Sequence, residues 1–290
     1  MADEYRRFWI TSSDAIEREC LLAEAFDAGA EGAEEIEEEA GFRACIYASM
    51  DRIEAIRGLI RDASADETVV GPIEELPDVD WSQAWREGLE AIPISKRLLV
   101  RPPFVEAALE PGQREIIIDP GQAFGIGGHA STRLCLEWID ELLVSRSFDR
   151  VLDVGTGSGV LALAAVALGA ERAIGFDLDP VATVAAREAA ILNRFSSKAH
   201  FFTGPIEALR NSERTFPLVL ANLLKQEMLP IATEIARFAS RDGRLVLAGL
   251  LDEDVDEVKD RFAREGLVEV GRRSLQDSTG EWIGLCLAFE

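Results

Sequence analysis

From Arg150 onward, short apolar runs alternate with longer amphipathic segments, and this alternation restricts the fold more than any other feature of the chain. The runs at 151–154, 173–177, 200–203, 217–222 and 244–249 read as strands. The segments at 160–168, 180–193, 226–238 and 253–264 read as helices. Buried strands separated by helices predict an α/β fold with a mostly parallel sheet covered on both faces. Two closing strands, near Leu267 and Trp282, lack a helix between them and predict an antiparallel hairpin at one sheet edge.

Upstream the pattern changes. A short apolar run at 8–10, a helix at 14–27, an acidic stretch to Glu39, a strand at 42–48, a helix at 52–61 and a strand at 68–73 follow in β-α-β-β-α-β order. That order predicts a small α+β ferredoxin-like sandwich over residues 1–78. Leu76-Pro77-Asp78 reads as a boundary, and Trp81 and Trp85 share one face of a linker helix within 79–95. Residues 96–290 form the larger domain, in which strands at 97–101 and 115–118 flank a loop and are expected to make a hairpin.

Charge narrows the class of partner. The chain carries 53 acidic and 30 basic side chains, a formal charge of −23. Residues 1–78 hold 21 Asp and Glu against 7 Arg, a net −14. So acidic a surface does not grip a phosphate backbone, which needs clustered Lys and Arg, and no direct nucleic-acid binding is expected. The run at 31–39 is either a solvated sheet edge or a docking surface for a basic protein. No apolar stretch is long enough to span a bilayer, and the opening MADEYRRFWI lacks a signal-peptide layout, so a cytoplasmic location is expected. Four scattered cysteines and two histidines give no metal-ligand spacing, so no metal is expected.

Three segments carry chemistry. The first is DVGTGSG at 153–159, between the first core strand and its helix, where glycines let backbone approach a ligand closely. Its G-x-G-x-G spacing differs from the dinucleotide fingerprint, and Asp177 ends the next strand, where a carboxylate can accept both hydroxyls of a ribose. The bland alternative is a tight turn with an N-cap Asp ahead of Pro180. Between nucleosides, the shortened spacing favours S-adenosylmethionine over a dinucleotide. The second is DPGQAFGIGGHAST at 119–132, a loop able to close over a ligand, with Ser131 and Thr132 suited to cap the next helix. His129 there is a loop-stabilising hydrogen bonder or a base. The third is Asn222-Leu223-Leu224 at the carboxyl end of the fourth core strand, where open α/β sheets bind ligands. The Asn222 side-chain oxygen can accept a hydrogen bond from an amine and aim its lone pair at an electrophile; its alternative role is to satisfy its own turn.

Taken together, Asp80-Trp81 with Trp85, the DPGxAFGxGxH segment, the glycine turn, Asp177 and Asn222-Leu-Leu resemble the bacterial ribosomal protein L11 methyltransferase family over nearly the whole chain. The resemblance implies a class I methyltransferase Rossmann-like domain with a small substrate-recognition domain before it. It implies S-adenosylmethionine as cofactor, contacted by Phe124, Thr132, Asp153, Gly155, Gly157, Gly159, Asp177 and Asn222, with Asn222 also catalytic. The implied reaction is N-methylation of lysine and/or N-terminal amines of a basic large-subunit ribosomal protein. Proton acceptors would come from Asp153, Glu227 or His129. Three positions depart from the family pattern: Ile126 stands for Thr, Ser131 for Thr, and Lys225 for a small residue. They keep two alternatives open, a related protein-lysine methyltransferase with another target and a non-catalytic S-adenosylmethionine-binding sensor or assembly factor.

Overall fold

A computed structural model describes residues 5–12, 14–38, 41–65, 67–76, 88–120, 128–209, 215–277 and 280–290. The chain divides into two compact units, Met1–Gly88 and Leu89–Glu290. The expected helix around Trp81 and Trp85 lies outside the described residues, as does Phe124.

The first unit contains β1 (Tyr5–Ser12), α1 (Ala15–Asp27), β2 (Gly32–Glu38), β3 (Gly41–Ser49), α2 (Ile53–Ala63), β4 (Val69–Val70) and β5 (Glu74–Glu75). Its sheet runs β2-β3-β1-β4 with antiparallel neighbours throughout, the ferredoxin-like arrangement. Period-two alternation sends Phe8, Ile10, Ala44 and Ile46 to one face, where they bury against Leu21, Leu22, Ile53, Ile56 and Ile60 of the helices. The acidic run becomes β2, which among the described residues pairs only with β3 and so forms a sheet edge. The expected strand at 68–73 is reduced to β4, and a second fragment, β5, follows just beyond it, both paired to β1. Pro72 between them has no N–H to give the ladder, and pairing resumes where Arg7 and Arg6 meet Glu74 and Glu75 at 3.2 and 3.1 Å.

The second unit opens with β6 (Ile92–Pro93), β7 (Leu98–Arg101) and β8 (Arg114–Ile117). Here the expected hairpin is corrected: β7 and β8 pair in parallel. The connection from Pro102 to Gln113 is long enough to carry the chain back to the start of β7, and a tight turn is not what joins them. Asn193 then clasps β8 as a strand would, accepting the Ile117 N–H at 2.8 Å and donating to the Ile117 carbonyl at 2.7 Å.

Next come α3 (Ala130–Ser145), β9 (Arg150–Val154), α4 (Val160–Ala167), β10 (Arg172–Asp177), α5 (Pro180–Leu192), β11 (Ala199–Thr203) and β12 (Phe216–Asn222). They are followed by α6 (Lys225–Met228), α7 (Ala232–Phe238), β13 (Ala239–Leu251), α8 (Val255–Ala263), β14 (Leu267–Asp277) and β15 (Gly280–Phe289). The sheet order is β11-β10-β9-β12-β13-β15-β14. Its first five strands are parallel, and β15 enters antiparallel between β13 and β14. Adjacent residues on one strand serve opposite faces: Val151 and Leu218 pack under α3 and α4, whereas Leu152 and Val219 pack against Phe238 and Phe262 of α7 and α8. The single helix expected at 226–238 is broken into α6, a 3₁₀ turn at Leu229–Ile231 and α7, because Pro230 cannot donate the helical hydrogen bond.

Candidate functional site

The order of strands reverses between β9 and β12, and the crevice above that switch point is where an open sheet can admit a ligand. A cavity of about 780 Å³ lies there, lined by Gly155, Gly157, Phe176, Asp177, Asn222 and Trp282 among others. Its size suits a nucleoside-sized ligand with room for a reacting group.

The glycine turn forms one wall. Gly155 has φ +66, and a Cβ on it would stand 2.4 Å from Leu223 Cδ2, so a side chain here would be strained and would push Leu223 aside. Gly159 faces Ala186 and Phe201 rather than the cavity, and so seats α4 against the sheet. Asp177 accepts the Gly157 N–H at 2.9 Å and the Asp179 N–H at 3.0 Å, and its remaining lone pairs can take ribose hydroxyls. The N-cap of α5 is Asp179, which accepts the Val181 N–H at 2.8 Å, so the capping role does not fall to Asp177. Phe176, Leu178 and Ile206 supply an apolar slot beside that carboxylate, suited to a purine.

Asp153 lies beneath this wall rather than on it. It is fully buried, and Oδ2 accepts the Thr156 hydroxyl at 2.6 Å and the Ala162 N–H at 3.3 Å, closing the turn from below. Among the described residues its Oδ1 has no hydrogen-bond partner. Burial pushes its carboxyl up to about 6, with nearby Asp177 adding to the rise and the two hydrogen bonds opposing it.

Opposite stands Asn222, the last residue of β12. Its amide nitrogen donates to Thr132 Oγ1 at 3.2 Å, which fixes the amide plane and leaves the oxygen on the other branch. Thr132 is buried in the first turn of α3. The expected cap by Ser131 or Thr132 is corrected: His129 is the N-cap, its Nδ1 accepting the Ser131 N–H at 3.3 Å and meeting the Ser131 hydroxyl at 2.8 Å. His129 therefore stabilises the helix start. Glu227, on the turn after Asn222, lines the cavity and accepts the Leu224 N–H at 3.2 Å. Gly249 has φ +84 and sits under the same turn, where a Cβ would meet the Leu223 carbonyl oxygen at 2.5 Å.

Sequence reasoning missed Trp282. The sequence reads it as part of a closing strand, yet β15 crosses beside β13 and brings its indole into the cavity, edge-on to His129 with ring centroids 4.6 Å apart. No spacing in the chain announces this, since it follows from the antiparallel insertion of β15.

Gly155 and Gly157 at the switch point, Asp177 beyond the neighbouring strand and the reversed β15 belong together in one class of enzyme, the class I S-adenosylmethionine-dependent methyltransferases. A profile described as Ribosomal protein L11 methyltransferase (PrmA) matches residues 9–288, and the chain belongs to that family. A ribosomal protein L11 methyltransferase of Pelobacter propionicus is 38% identical over 216 residues, covering 73% of this chain and 68% of that protein. One of Geobacter sulfurreducens is 41% identical over 214 residues, covering 73% and 66%. The chain thus spans about two thirds of the length of these relatives. The crystal structure of a ribosomal protein L11 methylase from Lactobacillus delbrueckii subsp. bulgaricus superposes with a TM-score of 0.61 at 27% identity, covering 69% of this chain and 99% of that one. The cofactor is S-adenosylmethionine.

Proposed function

We propose that the protein methylates amines of ribosomal protein L11, on lysine side chains and/or the N-terminus, in the cytoplasm. The observation that carries this reading is Asn222, a side-chain amide locked by Thr132 at the edge of a cavity whose facing wall offers Asp177. Gly155, Gly157 and Asp177 would hold the cofactor's nucleoside, with Phe176, Leu178 and Ile206 around the base. The cofactor supplies an electrophilic methyl group on a sulfonium.

The chain's own task is to present a neutral amine. A lysine amine with a pKa of about 10.4 loses about 4.6 kcal/mol in becoming neutral at pH 7, and an α-amine near about 7.8 only about 1.1 kcal/mol. Asn222 Oδ1 accepts an N–H of the amine and orients its lone pair, while Trp282 and Leu223 exclude water around it. Glu227, which lines the cavity from α6 just after Asn222, is the carboxylate we assign to receive the proton. Asp153 is sealed below the turn and supports it instead; together with Gly159 it acts on the cofactor wall from behind.

Residues 1–78 are the part we assign to substrate recognition, with 79–95 as linker and 96–290 as the catalytic domain. Exposed Glu31, Glu34 and Glu35 on and beside the β2 edge suit a basic protein. Mass spectrometry of ribosomal proteins from a strain lacking this gene tests the reading. Loss of methyl groups from L11 is the expected result; loss from another protein, or no loss anywhere, would overturn it.

A further inference from the structure

A carboxylate that belongs to none of the sequence motifs holds the substrate wall together. Asp277, the last residue of β14, takes donors from two other elements: Oδ2 accepts the Ala130 N–H at 3.3 Å and Oδ1 accepts the Trp282 Nε1–H at 3.2 Å. Ala130 is the first residue of α3, so its N–H is one of those that no helical carbonyl can satisfy, and an anion there is favoured by the helix dipole. Trp282 in turn meets His129 edge-on, at an interplanar angle of 67°. Two residues after Ala130, Thr132 holds the Asn222 amide. One side chain thus fixes an indole that lines the cavity and the start of the helix that orients Asn222.

We propose that Asp277 is a positioning residue for methyl transfer, setting the plane of Trp282 and the entry of α3 so that the amine meets a wall already arranged. The inference rests on the amine-methylating reading above. It separates Asp277 from a residue that only closes the β14–β15 hairpin, where it pairs with Gly280. A hairpin role would act on folding; a positioning role acts on the substrate step and leaves cofactor affinity in place.

The test uses Asp277→Asn in the full chain, which preserves size but replaces one acceptor with a group that cannot accept. Three quantities are measured: S-adenosylmethionine affinity by calorimetry, kcat/KM with purified L11, and Trp282 emission, taken as the difference between each protein and its Trp282→Phe counterpart. We expect kcat/KM to fall about tenfold, as for a lost hydrogen bond to a charged group, with cofactor Kd within about twofold and Trp282 emission shifted. Equal losses in cofactor affinity and kcat/KM, or an unmoved Trp282 emission, would overturn the proposal. If wild-type protein leaves L11 unmethylated, the substrate reading fails, and the same kcat/KM comparison on the protein that loses methyl groups in the deletion strain decides the role of Asp277. Should Asp277→Asn not fold, Ala130→Pro removes the other donor at a helix position that tolerates proline. A fall in kcat/KM at constant cofactor affinity then supports the proposal, and unchanged kcat/KM overturns it.

Discussion

On the cavity wall assigned to the cofactor, the polar groups come from two short stretches, 153–159 and 177–179, and most of them are backbone atoms or the carboxylate that holds those atoms, with Phe176, Leu178 and Ile206 adding the apolar slot. The facing wall draws Asn222, Gly249 and Trp282 from separate parts of the second unit, and Thr132 and Asp277 grip the Asn222 and Trp282 side chains. A wall made from consecutive residues is inherited with the strand-turn-helix that forms it. A wall assembled from distant strands exists only when the whole sheet is in register. The first should tolerate changes in the second, and activity should be lost on the substrate side without loss of cofactor binding.

The sharpest break in that separation is expected at Gly249, which touches the substrate wall through backbone alone. Gly249→Ala puts a methyl group against the Leu223 carbonyl at a positive φ, and we expect kcat to fall at least about hundredfold while the protein also loses about 2–4 kcal/mol of stability. Steady-state kinetics with chemical denaturation measures both, and a variant with near-normal kcat would show that the turn has slack.

Crossing the two walls gives the next effects. Asp177→Ala should weaken S-adenosylmethionine binding about 30- to 100-fold, because the Gly157 and Asp179 amides lose their acceptor along with the ribose hydroxyls. Asn222→Ala should instead lower kcat about tenfold or more with cofactor Kd within about threefold. Calorimetry and kinetics on the pair would contradict the two-wall description if both variants lost affinity and turnover in the same proportion.

Asp153 gives a subtler effect, expressed in stability. Its folded-state carboxyl titrates near 6 against an ordinary value near 3.8, so the folded chain holds a proton that the unfolded chain has released. That contribution favours the fold below about pH 4 and is lost as pH rises through 6, amounting to about 2–3 kcal/mol. Asp153→Asn has no such titration, so its stability relative to wild type should improve between about pH 4 and 6 and level off above that in denaturation experiments. A flat difference across that range would mean that the buried carboxyl titrates normally.

The smallest effect is expected at Lys225, the residue that follows Asn222-Leu223-Leu224. Its ammonium meets Asp254 at 2.8 Å and Glu257 at 3.2 Å, which ties the turn after Asn222 to the segment following β13. With the lysine side chain 34% exposed, solvent screens the pair, and Lys225→Ala should cost at most about 1 kcal/mol with kcat within about threefold.

The sequence made the strand-helix alternation legible because core strands such as 217–222 are apolar on both faces and most end at Gly, Asp or Asn. Within the cofactor wall, Gly155 and Asp177 were visible for the same local reason. What local pattern cannot encode is pairing direction or distant contact. The β7–β8 hairpin was misread because loop length, not strand character, decides between parallel and antiparallel return. Pro230 dividing a helix was readable in principle, but the amphipathic periodicity across 226–238 masked it. His129 as cap, in place of the usual hydroxyl side chains, follows from its extended backbone at φ −70 and ψ 138, which propensity alone does not reveal. Asp277 and Trp282 had no local signature at all, being brought together with α3 only by the sheet.

The acidic edge strand has one further consequence. An open strand edge is a template on which another copy of the same strand can add, chain upon chain. Along β2 an incoming copy would bring Glu34 toward a like charge, so the edge disfavours its own kind while suiting a partner of opposite sign. The same carboxylate thus acts as a brake on self-assembly, one that high salt or low pH would release.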